Sequence, residues 1–412
     1  MQPGPLHLFW TTGVFYLWAL RDRFDVALSV PESYRASADF RRIAALPFVR
    51  AVEFLPQGRP LARHRACVRQ LRKLLADTRP CCLLLHNTCY VENLYLVRLA
   101  RARQPGLPVH HFQNARLAVL WSNDFGIRRA VQVERLSRRF PALARWPRLA
   151  GWLVDRLNGL RFAAEYTVAP RLVTGRALRP PLNVFDGRPS PSRGRDAGPH
   201  DRLFCYLECE AAIWRGLGLG APRLIRHPLA ACGEAVFRFL DARFEQRTQI
   251  VILPSHGFTA VLKARGWQEG AVIDHLARRW GDAIDKLGQS YAGHAMKFKP
   301  HPASRDDPVW ASVLERLARR FPALEQVPAT EAAEPLIAQS RVVVGDVTTA
   351  LWWAGLHGGK IVISLDIFGF EGGDEMRAYA PLVHVVDDLD APWPVEAAPA
   401  PAIADTVLDH LP

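Results

Sequence analysis

The stretch Ser340-Arg-Val-Val-Val-Gly-Asp-Val-Thr-Thr-Ala-Leu-Trp-Trp-Ala354 decides the fold class of this chain. Three consecutive valines are typical of a buried β-strand, the glycine after them permits a sharp turn, and the apolar run that follows predicts a helix. A strand that passes through a glycine turn into a helix is the unit from which parallel α/β sheets are built. The same turn places Thr348 and Thr349 at the start of the predicted helix.

Short apolar runs alternate with longer amphipathic runs along most of the 412 residues, as expected for parallel α/β sheets. A chain of this length usually forms two domains. We predict an N-terminal Rossmann-like domain over 1–240, with a flexible Pro/Gly/Ser/Arg segment at about 179–200, and a C-terminal Rossmann-like domain over 241–412. The predicted strands are 6–11, 26–30, 51–55, 82–86, 109–112, 203–207, 250–254, 295–299, 342–344 and 361–365, and the predicted helices include 61–76, 93–103, 230–245, 271–287, 309–320, 348–356 and 403–411.

The formal net charge of +13 comes mainly from arginines that are scattered along the predicted helices and do not form one block. This distribution argues against a nucleic-acid-binding tail, and we predict no nucleic-acid partner. A spread positive field suits an anionic substrate, an acidic polymer or the anionic inner leaflet of a membrane. An arginine-rich surface that contacts only water explains the same pattern in part.

The seven cysteines are odd in number and lie mostly in apolar runs, which favours reduced thiols and a cytoplasmic protein over a disulfide framework. The apolar run over residues 6–20 is too short to span a bilayer and is interrupted at Thr11-Thr12-Gly13. A strand, a glycine turn and a helix explain this run better than a signal sequence, so any membrane contact is expected to be peripheral. Gly13 at the turn is a candidate for close approach of a ligand to the backbone.

Cationic and titratable residues cluster in Lys297-Phe-Lys-Pro-His-Pro302, at the end of a predicted strand. In an open α/β sheet, ligands bind at the carboxyl ends of the strands. Lys297 and Lys299 can attract a phosphate as point charges, and His301 can donate a hydrogen bond or a proton to it, while Pro302 restricts the loop. The alternative is a strand that exits into a proline-rich turn, but three such groups in five residues favour a phosphate site.

Polar groups follow two further predicted strands of the same domain. Gly345 leads to the helix start at Thr348 and Thr349, where two hydroxyls and free backbone N–H groups make an anion site. Either threonine alone could serve only as an N-cap. Asp366, at the end of the predicted strand 361–365, could border a nucleotide or only cap the chain.

The triplet Ser255-His256-Gly257 follows the predicted strand 250–254, where it fits contact with a phosphate or a sugar. It does not indicate a Ser/His hydrolase, because no Gly-x-Ser-x-Gly elbow accompanies it. Asp387-Asp388 lies on a predicted loop without partners at metal-ligand spacing, so we predict no metal site.

The spacing from the Lys-Pro-His-Pro strand end to the Thr-Thr helix start, and then to Gly359-Lys-Ile-Val-Ile-Ser-Leu-Asp366, resembles the C-terminal half of bacterial sialyltransferases and polysialyltransferases. The resemblance covers roughly residues 250–370. It implies the α/β architecture called GT-B, in which two Rossmann-like parallel-sheet domains face a central cleft. It also implies CMP-sialic acid as donor and no bound metal or other cofactor. Capsule enzymes that use CMP-Kdo, and CDP-glycerol transferases, share similar motifs, so a cytidine nucleotide is the expected donor.

This resemblance implies roles for residues of both halves. His301 would contact the donor phosphate and assist its departure, and Thr348 and Thr349 would bind the same phosphate. An inverting transfer also needs a carboxylate base, which the family supplies from an acidic pair before a glycine in the N-terminal domain. This chain lacks such a triplet. The candidates are Glu92 and Asp124, although each alone is often a helix cap or a solvated acid.

Together these observations predict a glycosyltransferase that moves sialic acid or a similar ulosonic acid from a CMP-activated donor to a glycan or glycolipid acceptor at the cell surface. The expected location is the cytoplasm, with possible peripheral contact with the inner face of the membrane. Alternatives are a CDP-glycerol-type polyol-phosphate transferase, a CMP-Kdo transferase, and a non-catalytic protein that binds a nucleotide or an anionic polymer.

Overall fold

The structure, a computed structural model, describes residues 6–9, 14–36, 38–85, 90–112, 119–180, 201–216, 221–228, 249–256, 265–346, 348–368, 376–380, 382–398 and 402–411, with single residues or pairs between 232 and 263. Two predicted site residues, Gly13 and Gly257, lie outside the described residues, as does the side chain of Asp124. Most of the predicted flexible segment and of the predicted helix 230–245 also lies outside them.

The chain divides into two compact units. Unit 1 comprises Met1–Ala118, Asp155–Val236 and Ile403–Pro412, and unit 2 comprises Val119–Val154 and Phe237–Ala402. One change of unit, after residue 236, lies near the boundary at 240 that we predicted. Two segments are grouped differently from that prediction: residues 119–154 fall in unit 2, and residues 403–412 return to unit 1.

The sheet of unit 1 contains seven strands: β1 (Leu6–Phe9), β2 (Val26–Pro31), β3 (Val49–Leu55), β4 (Cys82–Leu85), β5 (Val109–Phe112), β6 (Arg202–Cys205) and β7 (Arg223–Leu224). Their order is β3-β2-β1-β4-β5-β6-β7, and all neighbours are parallel. The strands wind outward in both directions from the β1–β4 pair. This is the doubly wound arrangement of a Rossmann-like domain, in which ligands bind beyond the carboxyl ends of the strands.

The helices before β8 are α1 (Val14–Leu20), α2 (Ala38–Ala44), α3 (Pro60–Thr78), α4 (Val91–Arg103), α5 (Val119–Arg139), α6 (Pro147–Ala163), α7 (Ala169–Thr174) and α8 (Glu208–Gly216), of which α5 and the first part of α6 fall in unit 2. A π-helical turn, Ala164–Val168, joins α6 to α7. Helix α3 shows why these segments bury one face. Its apolar positions recur every three or four residues, and Cys67, Leu71, Leu74 and Leu75 are all buried.

The sheet of unit 2 contains six strands: β8 (Gln249–Leu253), β9 (Ala295–Phe298), β10 (Glu325–Gln326), β11 (Val342–Gly345), β12 (Ile361–Leu365) and β13 (His384–Val386). Their order is β10-β9-β8-β11-β12-β13, again with all neighbours parallel. The described helices after β8 are α9 (Glu269–Ser290), α10 (Pro308–Arg320), α11 (Ala333–Gln339) and α12 (Thr349–His357). Unit 2 is therefore a second Rossmann-like domain.

The core of unit 2 lies on both faces of its sheet, because every residue of β8, β11 and β12 is buried. Continuous burial explains why these strands are uninterrupted apolar runs without polar alternation. Trp280 of α9 packs edge-on against Phe298 of β9, with ring centroids 5.6 Å apart. Trp352, at the helix start that the sequence indicated, has no exposed surface and is a core residue.

Each of the ten predicted strands overlaps an observed strand. The sequence missed β7, β10 and β13, which have only two or three residues and therefore show no periodicity. The predicted strand 295–299 ends at Phe298, although the backbone N–H of Lys299 still donates to the carbonyl oxygen of Ile252 at 2.9 Å. Lys299 thus continues the ladder by one bond beyond the assigned strand.

The C-terminal residues pack within unit 1. The backbone N–H of Arg226 donates to the carbonyl oxygen of Asp405 at 2.7 Å, and the guanidinium of Arg202 donates to the carbonyl oxygen of His410 at 3.0 Å. The predicted terminal helix 403–411 is a 3₁₀ turn, Val407–His410, capped by Thr406 and Asp409. The capping box forms a single turn, which is shorter than the apolar pattern suggested.

Gly345 is required where β11 ends, because β8 passes close beside it. A Cβ atom at this position would lie 2.6 Å from the carbonyl oxygen of Leu253 and 3.1 Å from Cγ2 of Thr348. A carbonyl in a buried ladder has little freedom to move away. The glycine therefore permits both the strand pairing and the turn into α12.

We expect Gly345→Ala to lower the free energy of unfolding by about 1–3 kcal/mol, the usual cost of overpacking a core. The matched control is Gly270→Ala in the first turn of α9, where no atom lies within 4 Å of the added methyl group. That change should be neutral or slightly stabilising. Urea denaturation followed by tryptophan fluorescence measures both, and an unchanged midpoint for Gly345→Ala would contradict the close approach.

Candidate functional site

The carboxyl ends of β9, β8 and β11 lie side by side, because these strands are neighbours in the sheet of unit 2. The polar residues that follow them contact one another. Ser255, after β8, is hydrogen-bonded to Asp346, after β11. His256 stacks on His301, which follows β9, with ring centroids 4.4 Å apart and an angle of 22° between the planes. The structure thus brings together three motifs that are separated by about 45 residues each.

Asp346 joins two of these strand ends through a carboxylate that has no exposed surface. One oxygen, Oδ1, accepts the backbone N–H of Ser255 at 2.7 Å, and Oδ2 accepts the Ser255 hydroxyl at 3.1 Å. A buried carboxylate without such donors would be strongly destabilising. The sequence interpretation missed Asp346. The available signal was a single acid directly after Gly345, inside an otherwise apolar stretch.

His301 is partly buried at the start of a short 3₁₀ turn, Pro302–Ser304, which Pro302 opens. Its Nδ1 atom accepts the backbone N–H of Ala303 at 3.1 Å. Burial, together with the nearby His256 and Lys299, lowers the pKa of His301 to about 4, so the ring is neutral at physiological pH. Because Nδ1 is an acceptor, the ring proton is on Nε2, and His301 is a neutral hydrogen-bond donor.

We expect the NMR signals of the His301 ring, assigned by their loss in His301→Gln, to titrate near pH 4 in the folded protein. The folded pKa lies below the unfolded value of about 6.5. As the pH falls through that interval, the unfolded chain takes up a proton that the folded chain does not bind, so stability is lost. The His301→Gln variant should lose less stability over the same interval. Titration near 6.5 in the folded protein would contradict this environment.

The two lysines of the motif make different contacts. Lys297 forms an ion pair with Glu325, with 2.9 Å between Nζ and Oε1, across the β9–β10 pair. Lys299 is 3% exposed, and its ammonium donates to the carbonyl oxygens of Pro300 at 3.2 Å and Ala329 at 3.4 Å. Burial lowers the pKa of Lys299. Lys299 therefore stabilises the loop that carries His301, and Lys297 links two strands. Phosphate binding by either lysine stays a prediction.

The helix start at Thr348 has the geometry of an N-cap. The Thr348 side-chain oxygen accepts the backbone N–H of Ala350 at 3.4 Å, and Thr349 is the first residue of α12. The Thr348 hydroxyl hydrogen can still be donated, since only the oxygen lone pair is used as an acceptor. The N-cap and anion-site interpretations are therefore compatible, and phosphate binding at Gly345, Thr348 and Thr349 stays a prediction.

Asp366 lies after β12 and takes part in a cluster of charges. Its backbone N–H donates to the carbonyl oxygen of Val386 at 2.7 Å. Its carboxylate is 3.6 Å from the guanidinium of Arg377, which also lies 3.0 Å from the carboxylate of Asp387. The structure places Asp366 in this cluster, and a contact with nucleotide stays a prediction.

Unit 1 contains a cavity of about 730 Å³ at the carboxyl ends of β2 and β3 and the start of α4. Its lining includes Pro31 at the end of β2, Pro56 after β3, and Tyr90 and Tyr166. The charged residues that line it are Arg63, Glu92, Arg161 and Glu165. An apolar and aromatic cavity with a few convergent polar groups is typical of a small-ligand site.

The charges in this cavity are unequally paired. Arg63 forms a close ion pair with Glu165, whereas its Nε atom lies 4.0 Å from Oε1 of Glu92. Glu165 also lies 3.3 Å from Nε2 of His64, which has no exposed surface. Arg63 is thus held by Glu165, and the Glu92 oxygens lie beyond hydrogen-bonding distance of it.

Glu165 and Arg63 were not identified from the sequence. Arg63 is on α3, and Glu165 is on the π-helical turn Ala164–Val168, so about a hundred residues separate them. A π turn inserts one residue into a helix and is often found at functional sites. Glu92, one of the two predicted bases, lines the same cavity. Asp124, the other, lies on α5 in unit 2, and its side chain is outside the described residues.

Comparison with solved structures finds similar folds among UDP-GlcNAc 2-epimerases. The Neisseria meningitidis enzyme bound to UDP-GlcNAc is 14% identical, with a TM-score of 0.50 over 93% of this chain and 87% of that one. The Methanocaldococcus jannaschii enzyme is 10% identical, with a TM-score of 0.51 over 93% of this chain and 89% of that one. No protein-family model matches the sequence, and a comparison with curated proteins finds no match.

Likeness at such low identity shows the fold alone. The chain has a GT-B-like α/β fold with two Rossmann-like parallel sheets, which confirms the predicted fold class. The narrower resemblance to sialyltransferases is not supported by these neighbours.

Proposed function

We propose that this chain is a glycosyltransferase that moves a sugar from a CMP-activated donor to a glycan acceptor, with inversion and without a metal. A sialic acid or a similar ulosonic acid is the proposed sugar, in line with the sequence resemblance. The observation that carries the proposal is the neutral His301, whose Nε2–H is available at the carboxyl edge of the sheet beside His256.

His301 suits the departure of a nucleotide phosphate. In such a transfer, the bond from the anomeric carbon to the phosphate oxygen breaks, and its electron pair stays on the phosphate. A hydrogen-bond donor at that oxygen stabilises the charge that develops. The bond from Ala303 to Nδ1 fixes the orientation of the ring, and the low pKa means that it donates without carrying a charge of its own.

The surroundings of His301 also favour an anion. The N-terminus of α12 adds the partial positive charge of a helix end, with Thr348 and Thr349 as hydroxyl donors. The nearby negative charge of Asp346 is not presented to a ligand, because this carboxylate has no exposed surface and its oxygens accept hydrogen bonds from Ser255.

The cavity of unit 1 has the chemistry of an acceptor site. Tyr90, which is 43% exposed, offers an aromatic ring to a sugar, and carboxylates accept hydrogen bonds from its hydroxyls. We assign the base to Glu92, because Arg63 pairs closely with Glu165 and lies farther away, 4.0 Å, from Glu92. In the transfer, Glu92 would take the proton of the acceptor hydroxyl as its oxygen bonds to the anomeric carbon.

A UDP-sugar enzyme is the second candidate, because the two solved structures named above are UDP-GlcNAc 2-epimerases. CDP-glycerol-type polyol-phosphate transfer and CMP-Kdo transfer would use a similar phosphate site. A non-catalytic binding protein would bind the nucleotide without turnover. The nucleotide that stabilises the protein, and the product formed, separate these alternatives.

Among CMP, CDP, UDP, UDP-GlcNAc and GDP, we expect CMP to raise the melting temperature most. A ligand at a hundredfold excess over its dissociation constant stabilises the native state by about 2.7 kcal/mol. His301→Ala should remove most of this shift. The matched control is His294→Ala, which changes a partly buried histidine of the same unit that contacts its own turn, 3.1 Å from the carbonyl oxygen of Tyr291.

A shift with UDP or UDP-GlcNAc but not with CMP would overturn the proposed donor in favour of the second candidate. A full CMP shift in His301→Ala would overturn the phosphate site.

We expect Glu92→Gln to leave the CMP-induced shift intact and to slow transfer about 10²–10⁴-fold, the usual contribution of a general base. The assay is the release of CMP from CMP-sialic acid, with water as the acceptor. Glu208→Gln, which changes an exposed glutamate of the same unit, is the control. Wild-type turnover in Glu92→Gln would show that this carboxylate is not the base.

A further inference from the structure

A second cavity of unit 1 lies at the amino edge of the sheet, where β5 and β6 begin. Its volume is about 800 Å³, and all of its lining residues belong to unit 1. Ligands of Rossmann-like domains bind at the opposite, carboxyl edge of the sheet. Strands of four residues, such as β5 and β6, separate the two edges by about 13 Å, at about 3.3 Å per residue. This amino-edge cavity is therefore distinct from the cavity beside Glu92.

The acidic residues that line the amino-edge cavity are engaged within the protein. Oδ1 of Asp201 pairs with the guanidinium of Arg101 at 2.6 Å, and Oδ2 accepts the backbone N–H of Val109 at 2.7 Å. Oδ2 of Asp409 accepts the backbone N–H of Thr406 at 2.6 Å and its hydroxyl at 2.8 Å. These bonds neutralise Arg101 and hold both carboxylates in place.

Arg202 is the other arginine of the amino-edge cavity. One nitrogen of its guanidinium donates to the carbonyl oxygen of His410 at 3.0 Å. Within the described part of the chain, no carboxylate forms an ion pair with it. A guanidinium has five N–H donors in a planar fork that matches a carboxylate or a phosphate. Arg202 therefore has both charge and donors to offer to an anion.

His110 supplies a polar group beside this arginine. It is the partner of Arg202 in the register of β5 and β6, and it lines the same cavity. The side chain is 3% exposed, and its Nδ1 atom has no hydrogen-bond partner among the described residues. Burial, with a smaller effect from Arg202, lowers the pKa of His110 to about 4, so the ring is neutral at physiological pH. Buried polar atoms are rarely left without a partner, which indicates that a ligand can supply one.

We propose that the amino-edge cavity binds a soluble small molecule through an oxyanion group, either a carboxylate or a phosphate, which Arg202 holds while His110 bonds a neighbouring polar atom of the ligand. The volume is within the range of about 300–1,000 Å³ that small-ligand sites occupy. Leu107 and Leu411 offer apolar contacts to the rest of the molecule. The proposal does not depend on the reaction that the chain catalyses.

The same chemistry could come from a lipid headgroup. Among the described residues, no helix is long and apolar enough to cross a membrane. A phosphate could reach the cavity on a soluble molecule or on a lipid at a membrane surface, and the test separates these two sources.

The test is isothermal titration calorimetry of the full chain with glycerol 3-phosphate and with citrate, together with flotation on vesicles that contain phosphatidic acid. We expect at least one soluble compound to bind with a saturable signal. Arg202→Gln should weaken this binding about tenfold or more, because it removes a charge-assisted pair. Flotation should be absent, or should not change in Arg202→Gln.

Two controls show where the anion binds. Arg69→Gln changes an exposed arginine on α3 of the same unit, outside the cavity lining, and should bind within about twofold of wild type. His301→Gln should leave the Arg202-dependent binding unchanged, because His301 belongs to unit 2.

A second pair of variants tests the cavity without changing its arginines. Gly106 lines the cavity, and no atom lies within 4 Å of a Cβ added to it. Gly106→Glu places a negative charge where the anion binds, whereas Gly106→Gln adds a neutral side chain of the same size. The glutamate should weaken binding several-fold more than the glutamine, because like charges repel. Both variants should keep the melting temperature of the wild type.

Four results would overturn the proposal. Neither soluble compound might give a saturable signal at millimolar concentration, or Arg202→Gln might bind as tightly as Arg69→Gln. Binding might be lost in His301→Gln and kept in Arg202→Gln, which would place the anion in unit 2. Vesicles alone might bind in a manner that needs Arg202, which would make a lipid headgroup the ligand.

Discussion

The buried carboxylate of Asp346 holds together the site in unit 2. It accepts two hydrogen bonds from Ser255 and so ties the end of β11 to the end of β8. His256 is the next residue, and its ring lies against His301 beyond β9. The positions of both histidines therefore depend on the buried carboxylate of Asp346. Gly345 makes this possible, because any side chain there would collide with β8.

The positive charges of unit 2 have separate tasks. The two lysines of the motif make contacts within the protein. Lys297 forms an ion pair with Glu325, and Lys299 donates hydrogen bonds to backbone carbonyl oxygens. The strand edge also carries a neutral histidine and the start of α12. Fixed dipoles of this kind stabilise a developing charge without binding every anion strongly, because they carry no full charge.

The π turn Ala164–Val168 links two features of the molecule. On its inner side, it directs Glu165 to Arg63 and His64, and this pairing sets the charge of the cavity beside Glu92. On its outer side, Leu160 before the turn and Leu172 after it are both exposed. In a regular α-helix without the inserted residue, either Glu165 or the exposed leucines would point in a different direction.

The sequence by itself determined the fold class, most strand positions and the candidate residues at strand ends. These are local properties: burial on both faces makes a parallel strand apolar throughout, and a glycine marks the turn into the next helix. It did not reveal that Asp346 links two strand ends, that Lys297 and Lys299 make contacts within the protein, or that Arg63 pairs with Glu165. Those depend on which side chains meet across the sheet or between helices far apart in the chain. Only the tertiary structure decides these contacts. Hydrogen bonds and ion pairs depend on distances in space, and contacts between residues far apart in the chain produce no periodic pattern in the sequence.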